Sequence, residues 1–294
     1  VRSANEQMEY AQSIDIPRKL FSEFIFESEL TILFSSAGYS ARVSYKSKSV
    51  NGKTKIKLSL TIANKTVIII GAPRSGTNML RNLLCDFKRV GTWPCDEINY
   101  IWRHGNVGFD TDELSDKMAS GKVKRFITKK FDQLANENGL DFLIEKTCAN
   151  SLRVPFVDQI IPDATYIFMV RDGLDVVESA SIRWQATLDI PYVLKKARYI
   201  PFFDIPFYGF RYFGNRLYKL LSKDKRLSFW GPRFDDFQKI VQNSSLEEVC
   251  AMQWQRCVNL SEDALKKIPN DRVIKVRYED FVLRPNVELG RILS

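Results

Sequence analysis

The chain has 294 residues, 45% of them hydrophobic, and a formal net charge of +9. That length and apolar content fit one large α/β domain with an appendage, or two small domains, and exclude a disordered chain. The positive balance suits anionic ligands, but no dense basic run, zinc-finger spacing, RNA-binding aromatic signature or helix-turn-helix cue points to nucleic acid.

Residues 1–62 read as an N-terminal α+β extension. Pro17 to Phe34 is an amphipathic helical stretch. Ala41 to Ile62 is a β-hairpin, with apolar residues alternating on both sides of an Asn51-Gly52 type I′ turn signal. Packing or oligomerisation is the role expected of this part. From residue 63 to 294 the pattern becomes strand–helix alternation, with candidate strands Val67–Ile70, Gly91–Trp93, Phe142–Lys146, Tyr166–Val170 and Val273–Val276. Alternation of this kind predicts a parallel sheet flanked by helices, a three-layer α/β fold. Ligands of such sheets bind at the carboxyl ends of the strands. Gly71, Lys146, Arg171 and Tyr278 all fall at or just beyond such ends. Residues 185–245 interrupt the alternation with an aromatic run, Tyr199 to Phe210, and a basic helical segment, Arg211 to Lys225. That insertion reads as an acceptor-binding lid or a membrane-surface element, or as a subdomain packed on its own aromatics.

The densest signal is a loop. Val67–Ile70, apolar and β-branched, runs into Gly71-Ala72-Pro73-Arg74-Ser75-Gly76-Thr77 and then into a helical pattern from Asn78. Strand, glycine-bounded loop and helix N-terminus make an anion cradle, because unpaired backbone N–H groups and the helix dipole face the loop. The glycine spacing is that of a Walker A loop, but the Lys expected between Gly76 and Thr77 is missing and Arg74 supplies the cation. A second strand ends at Arg171. Asp172 then suits an N-cap, and helical spacing sets Ser179 and Arg183 four apart on one face. Arg171, Ser179 and Arg183 can therefore meet on one tetrahedral anion. Two phosphate cradles on neighbouring strand ends suit a nucleotide with phosphates on both its 5′ and 3′ sides.

With these two loops the chain resembles the sulfotransferase family, whose members use 3′-phosphoadenosine 5′-phosphosulfate (PAPS) on a P-loop NTPase-like α/β fold. The Pro-Arg-Ser-Gly-Thr form is that of its bacterial, Golgi and tyrosylprotein members, and the resemblance covers about residues 63–294. It assigns Arg74, Ser75, Gly76, Thr77 and Asn78 to the 5′-phosphosulfate end, and Arg171, Ser179 and Arg183 to the 3′-phosphate. Tyr278 resembles a late tyrosine that contacts the cofactor, a strand-end core aromatic being the alternative.

Sulfuryl transfer needs a base and cations, and Arg, Lys and backbone donors supply the charge without a metal. The resemblance makes Glu97 the base and Lys146 a donor to the bridging oxygen. His104 and Asp96 are the rival bases. The acceptor is a small molecule, glycan, lipid or peptide, and the oligomeric state is not encoded. A P-loop kinase would require the missing Lys and an acidic strand end where Arg171 stands. A non-catalytic nucleotide-binding module is the other alternative.

Five scattered cysteines, without a CxxC pair, argue against a disulfide framework or zinc site. The single histidine, His104, excludes any metal site built on two. No run reaches about 18 apolar residues, so no membrane span is expected. A cytoplasmic location follows, or the Golgi lumen if an anchor has been removed, since the chain opens at Val1 and stops at Ser294 within a helical pattern. Glycosylation sequons at Asn64, Asn243 and Asn259 do not decide the compartment.

Overall fold

The computed structural model describes residues 30–36, 39–50, 53–62, 65–185, 198–208 and 230–294. The chain divides into two compact units, Val1–Ala63 and Asn64–Ser294.

In the first unit β1 (Leu30–Ser36), β2 (Tyr39–Val50) and β3 (Lys53–Ile62) form an antiparallel sheet in that order. β2 and β3 pair with Val50 opposite Lys53 and Ala41 opposite Ile62. This is the hairpin that the alternation predicts, although the Asn51-Gly52 turn lies outside the described residues. The helix expected through Phe34 is corrected: Leu30–Ser36 is a strand, with Ile32 opposite Val43 and Phe34 opposite Ala41. Thr31, Ile32 and Phe34 are β-branched or aromatic, and pairing with the open edge of β2 outweighs their helical spacing. Residues 17–29 of that stretch lie outside the described residues.

The second unit is built on five parallel strands, β4 (Lys65–Ile70), β5 (Val90–Thr92), β6 (Phe142–Glu145), β7 (Thr165–Val170) and β8 (Val273–Arg277), in the order β5-β6-β4-β7-β8. All five predicted strands are present, with ends shifted by one or two residues. Among the described residues its helices are α1 (Thr77–Cys85), α2 (Asn99–Trp102), α3 (Gly121–Glu137), α4 (Val154–Ile160), α5 (Gly173–Gln185), α6 (Phe237–Asn243), α7 (Leu246–Leu265), α8 (Tyr278–Leu283) and α9 (Pro285–Leu293).

The strand period of two sorts β4 between two cores. Ile68 and Ile70 join Leu143, Tyr166 and Phe168 under Val123, Ile127 and Phe131 of α3 and Phe156 of α4. Ile69 joins Ile144, Ile167 and Met169 under Leu80 and Leu84 of α1 and Phe281 of α8. Helices therefore cover both faces, giving the expected three-layer α/β, P-loop-like architecture. Ile68 and Ile70 are fully buried, and each such side chain contributes about 1.5–3 kcal/mol. A third cluster sets Ala180 and Trp184 of α5 against Phe234, Phe237 and Val249.

In the aromatic insertion Phe202 and Phe203 are exposed, whereas Phe234 and Phe237 are packed. The basic segment Arg211 to Lys225 lies outside the described residues. Among the described residues no helix is long and apolar enough to cross a membrane.

The chain leaves the central strand β4 towards β6 and β5 on one side and towards β7 and β8 on the other. The carboxyl end of β4 is therefore the topological switch point, where the crevice of such a sheet opens. Lys146, the loop at 71–76, Arg171 and Tyr278 follow four adjacent strands there.

Candidate active site

The loop after β4 owes its shape to two glycines. Gly71 passes so close to β7 that a Cβ on it would lie 2.7 Å from the Met169 carbonyl oxygen. Gly76 has φ +85°, and a Cβ there would run into the Tyr278 ring, 2.7 Å from Cε2. Arg74 also adopts positive φ, 71°, a conformation that costs an L-residue roughly 1–2 kcal/mol. The loop turns directly into α1, whose N-cap is Gly76 and which has no side-chain cap. The first N–H groups of the helix thus remain available to an anion. Ser75 is fully buried and its hydroxyl has no hydrogen-bond partner among the described residues. Thr77 is buried in the first helical turn, and Asn78 is exposed beside it.

The second strand end comes to the same place. Arg74 Nε donates to Ser179 Oγ at 2.9 Å, and Arg171 Nη1 donates to the Arg74 carbonyl at 3.2 Å. Asp172 caps α5 by accepting from the Leu174 N–H at 2.9 Å. Arg171 Nη2 reaches Asp175 at 3.2 Å, and its guanidinium lies 4.4 Å from the centre of the Tyr278 ring. Tyr278 therefore covers both Gly76 and Arg171. Arg171 Nε is buried without a hydrogen-bond partner among the described residues. Arg183 is half-buried, one helical turn beyond Ser179. Arg74, Ser75, Gly76, Thr77, Arg171, Ser179 and Tyr278 thus form one cluster. The unpartnered Ser75 hydroxyl and Arg171 Nε–H fit a bound oxyanion, because buried polar groups are otherwise satisfied.

Two further expected residues meet one strand over, beyond β6. Lys146 Nζ lies 3.0 Å from Glu97 Oε1 and 3.5 Å from Asp96 Oδ1. Glu97 also accepts from the Cys148 N–H at 3.3 Å. Lys146 is almost entirely buried, while the Glu97 side chain is 24% exposed. Burial alone would push the Lys146 ammonium down. The Glu97 carboxylate, helped by Asp96, outweighs it and holds Lys146 above the usual lysine range. Lys146 is consequently a fixed positive charge. Asp96 accepts from Arg81 at 2.7 Å. Burial would raise its carboxyl, but Lys146 and Arg81 together hold it below the ordinary value.

His104 is drawn elsewhere. Its Nδ1 lies 2.8 Å from Asp204 Oδ2, and its ring rests on Phe126 with centroids 3.8 Å apart. Among its hydrogen bonds and ring contacts none reaches Glu97 or Lys146. The sequence reading missed a buried polar network behind the Glu97 loop, in which Glu145, Thr147, Asn150 and Arg153 are all fully buried. The available signal was Glu145 itself, a carboxylate within the apolar strand Phe142–Glu145. Among the described residues no group of His, Cys, Asp and Glu could hold a metal ion.

Residues 66–193 match the model of a sulfotransferase family. No curated protein is matched by the sequence. Among solved structures, the chain is similar to a sulfotransferase domain from the curacin biosynthetic pathway, at 15% identity and a TM-score of 0.46, covering 78% of this chain and 72% of that one. A sulfotransferase domain of the Synechococcus PCC 7002 olefin synthase is 18% identical with a TM-score of 0.40, over 78% and 72%. A Mycobacterium avium sulfotransferase is 12% identical with a TM-score of 0.43, over 78% and 62%.

Proposed function

We propose that this chain, which matches a sulfotransferase family model over residues 66–193, moves a sulfuryl group from PAPS to a hydroxyl or amine acceptor. The observation that carries this reading is the junction of Arg74 with Ser179 and of Arg171 with the Arg74 carbonyl, at the N-termini of α1 and α5. Bound there, PAPS would supply an activated sulfuryl group on an adenosine with phosphates at both ends. Arg74, Ser75, Gly76, Thr77 and Asn78 hold the 5′ end by loop N–H groups, one hydroxyl and one guanidinium. Arg171, Ser179 and Arg183 hold the 3′-phosphate, and Tyr278 closes over the pair.

Glu97 takes the proton of the acceptor. Its partial exposure lets a hydroxyl reach it from solvent, and its bond to Lys146 fixes its position. Lys146 stays an ammonium at neutral pH, so it stabilises negative charge on the leaving oxygen by its field and by hydrogen bonding. Charge stabilisation is thereby assigned to Arg74, Lys146 and backbone N–H groups, and no metal is part of the proposal. The acceptor is a small molecule, glycan, lipid or peptide.

Calorimetry tests the reading. Adenosine 3′,5′-bisphosphate is expected to bind in the presence of EDTA, and ATP–magnesium much more weakly. Preference for ATP–magnesium would instead support a kinase. A labelled-sulfate transfer screen over phenols, glycans and peptides then identifies the acceptor.

A further inference from the structure

Two hydrogen bonds accepted by the Glu145 carboxylate lead to the loop that carries Glu97. Its Oε1 accepts from Thr147 Oγ1 at 2.5 Å, and Thr147 Oγ1 accepts in turn from the Ile98 N–H at 3.1 Å. Its Oε2 accepts from Asn150 Nδ2 at 2.8 Å. Asn150 Oδ1 accepts from Arg153 Nε at 2.9 Å, and Arg153 Nη2 donates to Asn99 Oδ1 at 2.5 Å. Ile98 and Asn99 are the two residues that follow Glu97. Glu145 is the residue before Lys146, at the end of β6.

We propose that Glu145 is a positioning residue: through Thr147 and Asn150 it fastens the Glu97 loop to the strand end bearing Lys146, and so sets the Glu97–Lys146 pair. The role assigned to that pair rests on the sulfotransferase reading, but the fastening itself does not. Every residue of this linkage is buried or half-buried, so water competes poorly for it and each lost bond leaves a buried group unsatisfied. The arrangement also explains an acid inside an apolar strand, since Phe142, Leu143 and Ile144 precede Glu145 without another polar residue.

The groups that face Glu145 are Thr147, Asn150, the Trp102 indole, Lys146 and Arg153. Burial raises its carboxyl from 4.5 to about 7, against the Thr147 hydroxyl and the two cations. The linkage survives either state of Glu145. When ionised, Oε1 accepts from Thr147. When protonated, that oxygen can donate to Thr147 Oγ1, which still accepts from Ile98. Glutamine reproduces the second arrangement, with its amide donating to Thr147 and its oxygen accepting from Asn150.

The test titrates Lys146 by NMR on 13C,15N-lysine protein, with adenosine 3′,5′-bisphosphate affinity measured in parallel. Glu97 is the principal group that holds Lys146 high, with Asp96 beside it. In Glu145→Ala and in Thr147→Val, release of Glu97 is expected to lower Lys146 from its wild-type value. Glu145→Gln and Thr147→Ser are expected to leave it high. Affinity for the bisphosphate should be retained in all four, because the Arg74–Ser179–Arg171 cluster is not part of the linkage. Thr147→Val is the milder perturbation and decides the matter should Glu145→Ala fail to fold. A folded Thr147→Val in which Lys146 keeps its raised value overturns the proposal, as does a parallel loss of bisphosphate affinity in Thr147→Val. Should the wild-type chain bind no bisphosphate at all, the sulfotransferase reading fails, while the Lys146 titrations still decide for or against Glu145.

Discussion

Replacing Gly76 by alanine tests the geometry where the loop, Tyr278 and Arg171 meet. Two costs can be worked from the structure. Gly76 has φ +85°, and holding an L-residue there costs about 1–2 kcal/mol. The new Cβ would also strike the Tyr278 ring, which must swing away from the Arg171 guanidinium now 4.4 Å from its centre. Losing that cation–π contact removes about 0.5–1 kcal/mol more. The sum, about 1.5–3 kcal/mol, should lower the melting temperature by about 3–12 °C for a unit of this size. It should also weaken adenosine 3′,5′-bisphosphate binding, since the anion cradle and its cover shift together. Thermal denaturation and calorimetry read the two effects. The double variant Gly76→Ala/Tyr278→Leu should show less than the sum of the single losses, because both single changes uncover Arg171. Unchanged melting and binding in Gly76→Ala, or strict additivity in the double variant, would refute this reasoning.

Arg171→Lys keeps the charge but loses the planar fork, and bisphosphate affinity should fall about tenfold or more by calorimetry. Lys146→Met should lower sulfate transfer by about two to three orders of magnitude while bisphosphate affinity is kept, since Lys146 contacts Glu97 and Asp96 and not the Arg74 cluster. Glu97→Gln should cost about 10²–10⁴-fold in turnover with donor affinity intact; full activity would transfer the role of base to His104. Stability should depend on pH through Glu145. Its folded value of about 7 lies above its ordinary 4.5, so its contribution is full below about pH 4.5 and lost as pH rises through about 7. Urea denaturation at several pH values should show this decline in the wild-type chain and a flatter profile in Glu145→Gln.

The fold was legible where local pattern decides. Val67–Ile70 is apolar, β-branched and bounded by Gly71, so the central strand stands out, and each later strand end carries a polar residue that marks it. Leu30–Phe34 was read wrongly because its spacing fits a helix and only pairing with β2, between Leu30 opposite Tyr45 and Phe34 opposite Ala41, decides otherwise. The convergence of Arg74, Arg171 and Ser179 was readable because each sits at a motif-fixed distance from a strand end. Glu97 was named from the family resemblance, whereas its pairing with Lys146 depends on β5 lying beside β6. The Glu145 linkage was not readable, since Ile98 and Asn99 come from a loop about fifty residues earlier and no spacing announces them. For the same reason Asp204, a hundred residues from His104, left no trace near the histidine.

The central claim is that one doubly anionic adenosine carrier is gripped at both ends by the loops after β4 and β7. A co-crystal structure with adenosine 3′,5′-bisphosphate tests it most directly. The 5′-phosphate is expected on the Ser75–Thr77 N–H groups and the 3′-phosphate on Arg171 and Ser179 of the same chain. A bisphosphate that touches only one of these loops, or that lies away from both, would contradict the account.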